Sequence, residues 1–357
     1  MGSQVGVADV ARRAGVSLGT VSNVLNHPDR VAAPTLSRVR EAIADLGFVR
    51  NEVARMLRTG RSRTIGLVVL DVANPFFTDI AVGVEDAAET AGLTVVMCNS
   101  GEDSAREARH LAALEEQRSF GILLAPSGDR TPQVQVIRRR GTPVVLVDRG
   151  SDDGLCSVSV DDVAGGRMAV EHLLDQGHQR IGFVGGPLGT TQVGDRLRGA
   201  RLALRAAGGR PAGLGLTVFE TGMENIASGR GVGELVAETT SADRPTAVFC
   251  ANDLLALGLL TQVQRRRLRV PEDIAIVGYD DIELAADAAV SLSSVRQPSR
   301  DLGRAATELL VDEVSAGPAH RHRQVVFSPE LVVRDSSVLD SNVRDAGVQD
   351  SARRRRP

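Results

Sequence analysis

Between residues 7 and 46 apolar positions recur at three- and four-residue spacing in three short bursts. Val7, Val10, Ala11 and Ala14 fall on one helical face, AGVS interrupts the chain, and Val21, Val24 and Leu25 resume the spacing. Leu36, Val39, Ile43 and Leu46 form a third stripe, and Gly47 stands where a helix end takes a left-handed residue. Three helices closing a small core are predicted, the first two joined by a tight turn. From residue 64 the rhythm changes. Strand-sized apolar runs (TIGLVVLDV, TVVMCNS, GILLAPS, PVVLVDR, RIGFVGG, TAVFC, IAIVGYD) alternate with amphipathic stretches. Runs too continuously apolar to alternate belong to strands covered on both faces, so the spacing predicts a doubly wound α/β architecture of parallel sheets. The runs form two groups separated near 160–165, which implies two lobes with a ligand cleft between them.

These patterns divide the 357 residues into a helical headpiece (1–50), a linker (51–63), a first lobe (64–164, completed by about 294–322), a second lobe (165–293, completed by about 323–339) and a polar tail (340–357) expected to be disordered. Charge sharpens the division. Residues 1–63 hold ten Arg against five acids, a balance of +5, whereas the whole chain carries −3. A basic head on an acidic body suits a protein that meets phosphate at one end. All 42 basic residues are Arg, so arginine content by itself says little. No apolar run is long enough to span a membrane, and the first residues show no secretion signal, which places the expected site of action in the cytoplasm. Cys98, Cys156 and Cys250 are scattered, without zinc-ligand spacing, and read as small buried apolar residues; no metal and no cofactor is expected.

Within VADVARRAGVSLGTVSNVLN (7–26), Ala11, Gly15 and Val21 meet the steric demands of a helix-turn-helix: a small residue where the helices cross, a left-handed turn, and an inward-packing side chain. Ser17 is placed to cap the second helix, and Thr20 and Ser22 offer hydroxyls to phosphates. A protein-docking bundle is the plain alternative, but its core would not require this hydroxyl and amide row.

The stretch resembles the headpiece of the lactose-repressor (LacI/GalR) family through DVA, AGVS, TVS and VLN. The resemblance implies that Leu18, Gly19 and Asn23 face base edges in the major groove, Asn23 with the reach for a bidentate contact to adenine. Asn26 and Arg30 complete the expected DNA contacts of the headpiece. NEVARMLRTG (51–60) resembles the family's hinge helix, implying that Asn51, Ala54, Arg55 and Leu57 meet the operator and that Leu57 wedges into the minor groove. Two departures stand out. Arg50 replaces the usual proline before the hinge asparagine, and Ala32 and Ala33 stand where a hydroxyl cap is usual.

Residues 64–336 also resemble the family, whose core is similar to periplasmic sugar-binding proteins. The likeness runs through DVANPFF (71–77), VDR (147–149), GDRLRG (194–199), CANDLLALG (250–258), VPEDIAIVGYDD (270–281) and SVRQP (294–298). It implies that Asp148, Arg196, Asn252, Asp280 and Gln297 point into the cleft, with Phe76 and Phe77 as an apolar wall. Carboxylates, amides and a guanidinium match the alternating donors and acceptors of a sugar, the leading effector. The absence of Trp and the single Tyr keep a purine or another polar metabolite open. Asp280 and Asn252 also admit a plain reading as helix caps. The family implies a homodimer on a pseudo-palindromic double-stranded operator, acting as a repressor. The leucine-rich C-terminal helix through which the lactose repressor tetramerises has no counterpart in 340–357, which holds no leucine.

Enzyme readings fare poorly. The glycine-rich GFVGGPLGTTQVG (182–194) is a loose dinucleotide fingerprint without the acidic partner, and GxSxG, Walker and HExxH motifs are absent, so no catalytic residue is expected. His172, His178, His320 and His322 read as surface residues, and the pairs Asp152–Asp153, Asp161–Asp162 and Asp280–Asp281 as caps and turns. A transport solute-binding protein shares the core architecture, but it would need an export signal and no basic head.

Overall fold

The computed structural model describes residues 5–49, 60–128, 132–151, 154–208, 215–338. The chain divides into two compact units, Met1–Ser62 and Arg63–Pro357. In the first, α1 (Val7–Ala14), α2 (Leu18–Asn26) and α3 (Ala33–Leu46) enclose Val10, Ala11, Ala14, Val21, Val24, Val39, Ala42 and Phe48. Val7 begins α1 and is 37% exposed, so the first stripe is one residue shorter than the spacing implies. Gly15 and Gly47 both take left-handed conformations, with φ of 64° and 59°, and end α1 and α3.

The second unit holds two six-stranded sheets. The first lobe orders its strands β11-β5-β4-β3-β1-β2, from β1 (Thr64–Val69), β2 (Thr94–Asn99), β3 (Gly121–Leu124), β4 (Val144–Val147), β5 (Ser157–Val160) and β11 (Gln324–Phe327). All of its pairings are parallel. Side chains alternate across it. Ile65, Leu67 and Val69 of β1 pack with Phe76, Phe77 and Ile80 of α4 (Pro75–Thr90) and Leu302, Ala306 and Leu309 of α12 (Ser299–Ala316). Val68 faces the opposite layer, with Leu111 and Leu114 of α5 (Ser104–Glu116) and Val134 and Ile137 of α6 (Pro132–Arg139). A β-strand sends successive side chains to opposite faces, so an apolar run buried on both sides is what two covering helix layers require.

The second lobe orders β12-β10-β9-β8-β6-β7, from β6 (Arg180–Gly185), β7 (Gly215–Glu220), β8 (Ala247–Cys250), β9 (Ala275–Asp280), β10 (Ser293–Arg296) and β12 (Glu330–Val332). Only the β10–β12 edge pair is antiparallel. Its helices are α7 (Asp162–Asp175), α8 (Thr191–Ala206), α9 (Ile226–Glu238), α10 (Asp253–Arg265) and the single turn α11 (Glu283–Ala286). Helices α7 and α8 cross where a Cβ on Gly166 or Gly199 would run into the other helix's backbone. The same reciprocal glycine contact joins α9 to α10 (Gly229, Gly258) and α4 to α12 (Gly83, Gly303).

The chain passes between the lobes three times: after β5, after β10 and after β11. The expected exchange points shift accordingly. Residues 293–296 pair with β9 in the second sheet, and 324–327 pair with β5 in the first. Both short strands sit at or beside a sheet edge, where hydrogen-bond register rather than hydrophobic pattern sets membership.

Candidate functional site

Two surfaces carry the residues singled out from the sequence. On the headpiece, Ser17 is the N-cap of α2, its Oγ accepting from the Thr20 N–H at 3.1 Å. The Ser17 and Thr20 hydroxyls lie 2.9 Å apart. Asn26 Nδ2 donates back to the Ser22 carbonyl at 2.7 Å and to its Oγ at 3.2 Å. Leu18 is 56% exposed, and Gly19, Asn23 and Arg30 are exposed as well. The helix therefore turns Leu18, Gly19, Ser22 and Asn23 outward while Val21 and Val24 anchor it from beneath. Ala32 is the N-cap of α3 with no side-chain bond, and Pro34 occupies its first turn, where a missing N–H costs nothing. Asn51, Ala54, Arg55 and Leu57, like Arg50, lie outside the described residues.

The second surface is a cavity between the lobes, at the carboxyl ends of the strands. Phe76, Phe77, Asp148, Arg196, Asn252 and Asp280 line it. Asp148 follows β4 with φ 59° and Asp280 ends β9 with φ 106°, conformations that L-residues adopt only when the surroundings enforce them. Asp280 caps no helix, since Ile282 takes that place before α11. Its Oδ1 instead accepts from Gln297 Nε2 at 2.7 Å and its Oδ2 from Asn74 Nδ2 at 3.2 Å. Asn252 does cap α10, with Oδ1 accepting from the Leu255 N–H at 2.9 Å, and its Nδ2 donates to the Glu224 carbonyl at 3.0 Å. Phe76 and Phe77 meet edge to face, ring centroids 5.1 Å apart, and both belong to the first lobe's core as well as to the cavity wall.

Arg196, in the second turn of α8, is buried. Its Nε donates to Asp162 Oδ1 at 2.8 Å, its Nη1 to the Ala251 carbonyl at 2.7 Å, and its guanidinium lies 3.8 Å from the Tyr279 ring centroid. Asp162 is thus a buried ion-pair partner, whereas its neighbour Asp161 is the N-cap of α7, as expected of that pair.

Four residues of this network escaped the sequence reading. Asn74, the N-cap of α4, bonds across the cleft to Asp280. Gln192 bonds across it in the other direction, to the main-chain oxygen of Asp148 at 2.6 Å and its Oδ2 at 3.1 Å. Asp162 anchors the arginine, and Glu224 lines the wall. Asn74 lies within the DVANPFF landmark and Gln192 within the glycine-rich loop; a polar residue opening a helix after such a loop was the available signal.

Burial dominates the electrostatics. It pushes the Asp148 carboxyl well above the ordinary carboxylate range, with Asp162 adding to the effect and Arg196 opposing it. Burial also raises Asp280 to about 6, against the pull of Arg196 and the bonds from Asn74 and Gln297. Glu224 is raised to about 8, so it holds its proton at neutral pH and can donate. Arg196 keeps its charge: burial opposes it, but Asp162, Asp280 and Asp148 outweigh the desolvation. Three buried acceptors, Asp148 Oδ1, Glu224 Oε1 and Gln297 Oε1, have no hydrogen-bond partner within the protein.

Of the remaining residues with chemistry, Cys250 is buried in the second lobe's core as expected, and Cys98 is half-buried. Cys156 is buried but faces two imidazoles, those of His320 and His322. The surface reading of His320 is corrected: its side chain is 2% exposed. Among the described residues, no helix is long and apolar enough to cross a membrane.

Residues 7–51 match the bacterial regulatory proteins of the lacI family, and residues 170–337 match the periplasmic binding protein-like domain. The HTH-type transcriptional repressor PurR of Photobacterium profundum is 34% identical over 343 residues, covering 94% of this chain and 99% of that protein. A transcriptional regulator CelR–cellobiose complex is 32% identical with a TM-score of 0.67, covering 93% of this chain and all of that one. The lac repressor dimer bound to operator and the anti-inducer ONPF is 26% identical with a TM-score of 0.81, over 94% of this chain and all of that one. With a helix-turn-helix, a two-lobed body and these matches over nearly its full length, the chain belongs to the lacI family of bacterial regulatory proteins.

Proposed function

We propose that this chain is a sequence-specific repressor that binds a pseudo-palindromic operator as a homodimer and is controlled by a neutral, hydroxyl-rich small molecule, a sugar, held between its lobes. The observation that carries the effector assignment is the set of buried polar oxygens without partners, Asp148 Oδ1, Glu224 Oε1 and Gln297 Oε1, lining or adjoining the cavity. Unpaired buried acceptors are costly, and hydroxyl donors would satisfy them. Cation supply selects the class further. Among the described residues that line the cavity, Arg196 is the one cation and is already committed to Asp162, while Asp71, Glu102, Asp148, Glu224 and Asp280 offer only carboxyls, so an anionic ligand such as a phosphorylated sugar finds no cation to pair with. The CelR relative, a cellobiose complex, is consistent with this class.

Two bonds cross the cleft, Asn74 to Asp280 and Gln192 to Asp148, and join the lobes. An effector entering there exchanges them for its own contacts and so changes the angle between the lobes. A differential affinity of roughly 1–3 kcal/mol between the two angles suffices for a switch. Exposed Asn23, Leu18 and Arg30, with half-buried Ser22 beside them, present the surface that reads the operator, and Asn51, Ala54, Arg55 and Leu57 supply the hinge contacts. Exposed Val96 on the edge strand β2, with Met223, Leu235 and Leu284 on the second lobe, offers apolar surface for the dimer. The cleft binds and does not catalyse, and a chain that meets chromosomal DNA acts in the cytoplasm.

The purified full chain, mixed with sheared genomic DNA at near-physiological salt, is expected to enrich one palindromic site. Neutral sugars should alter its retention where their phosphate esters do not. Enrichment with a response only to phosphate esters would overturn the effector class and leave the operator reading intact; no enrichment in any effector pool would overturn the repressor reading.

A further inference from the structure

Strand β5 begins directly after Cys156, and the link between α12 and β11 carries His320 and His322. On an extended segment, residues two apart face the same side, so the pair His-x-His directs both rings at one point while Arg321 points away. That point is Cys156. Its Sγ lies 3.1 Å from His320 Nε2 and 3.6 Å from His322 Nδ1. Glu313, near the end of α12, brings Oε2 to 3.9 Å from the same His322 nitrogen. The four ligand atoms all lie within 4.8 Å of one another.

We propose that Cys156, Glu313, His320 and His322 form a binding site for a divalent transition-metal ion of the zinc class. Tetrahedral zinc, with Zn–N and Zn–O near 2.0–2.1 Å and Zn–S near 2.3 Å, sets its ligand atoms about 3.3–3.7 Å apart. The Sγ–Nδ1 separation of 3.6 Å already falls in that range, the Sγ–Nε2 separation of 3.1 Å must open slightly, and the wider ones, up to 4.8 Å, must close. Two further observations point to a ligand. Glu313 Oε2 is buried without a hydrogen-bond partner, on a side chain 13% exposed. His320, 2% exposed, aims Nε2 at the cluster, while its Nδ1 is buried without a hydrogen-bond partner and lies 3.3 Å from Asp312 Oδ2, within reach of the carboxylate that orienting a metal-bound imidazole calls for. The main-chain N–H of Arg323 points at Cys156 Sγ from 3.4 Å, a donor suited to a thiolate. One thiolate, two imidazoles and one carboxylate suit zinc and its neighbours and are too soft for magnesium or calcium.

The site sits where β5 and β11 start, at the opposite end of the first sheet from the cleft. A metal there fastens the returning segment 317–323 to the sheet and holds the edge strand β11 in register against β5. Binding asks one rearrangement. Arg138 Nη2 lies 2.9 Å from His322 Nε2, and a ring that ligates through Nδ1 carries its proton on Nε2, so the arginine side chain must swing off.

The test uses the untagged full chain, reduced and stripped with a chelator, titrated with Co²⁺ and then with Zn²⁺. One Co²⁺ per chain should bind with the strong visible bands of four-coordinate cobalt and a sulfur-to-metal charge-transfer band, all displaced by Zn²⁺. Cys156→Ser should abolish the charge-transfer band. His322→Ala, at a more exposed position that the fold tolerates, should weaken binding at least tenfold, and Arg138→Ala should leave affinity unchanged or raise it. Faint six-coordinate bands, or a charge-transfer band that survives in Cys156→Ser, would overturn the proposal, as would equal affinity in the His322→Ala chain.

Discussion

The headpiece and the cleft hold comparable rows of polar side chains in opposite ways. On α2, Leu18 and Asn23 stand in solvent over a core made entirely by other residues, so their contacts wait for a partner. In the cleft the polar residues are buried and already bonded within the protein, Asp280 to Asn74 and Gln297, Arg196 to Asp162, and Gln192 to Asp148. The exposed headpiece residues add nothing to the core beneath them, and in the proposed function they serve recognition alone. Those of the cleft hold the body together, and in that same proposal a ligand competes with bonds the protein makes to itself.

This contrast breaks most visibly at Arg196. Replacing it with Ala leaves Asp162 buried without its cation and strips the face of Tyr279. The body should lose about 3–5 kcal/mol of stability in urea unfolding followed by circular dichroism. Lysine, which lacks the planar fork, should restore little of it.

A titration sharpens the same point. Asp280 takes its proton near 6 in the folded chain and near the ordinary carboxylate value, about 4, when unfolded. The folded state binds more protons in that window, so this residue's contribution to stability is full below about pH 4 and is lost as pH rises through about 6. Relative to Asp280→Asn, the native chain should lose on the order of 2–3 kcal/mol between pH 4 and pH 7, measured as the difference between their unfolding free energies. A native-minus-variant difference that stays flat or rises would contradict the buried, mutually bonded carboxylates described above.

At the headpiece the balance reverses. Asn23→Ala should cost operator binding about 1–3 kcal/mol in a salt-controlled titration while changing stability by no more than about 0.5 kcal/mol. Ser17→Ala, which removes the cap of α2, should lower headpiece stability by about 1 kcal/mol in thermal melting.

What the sequence made legible follows from how far apart the cooperating residues lie. The three headpiece helices are set by stripes and turns a few residues long, and Gly15, Ser17 and Gly47 do what local rules require of them. Asp148 and Asp280 were legible as strand-end residues because a parallel sheet presents its ligand contacts there. Asn74 and Asp280, 206 residues apart, bond only because two lobes meet, and no local pattern records that. Cys156 and His320, separated by 164 residues, are a stronger case: each reads as unremarkable by itself, and only the return of the chain from α12 to β11 joins them. The misplaced lobe boundaries at β10 and β11 have a related origin, since a four-residue strand has too few side chains to declare its sheet.

The threefold passage of the chain between lobes also bears on the order of synthesis. The ribosome delivers β6 to β10 of the second lobe by residue 296, before α12 (299–316) and β11 (324–327) exist. Until then the first lobe's face carrying Ile65, Leu67 and Val145 is covered by α4 but lacks α12, the second helix that packs on it. The lobe begun first is left waiting while most of the second is made, and for the time needed to translate the intervening segment part of its apolar face is open to solvent, to chaperones or to another nascent copy.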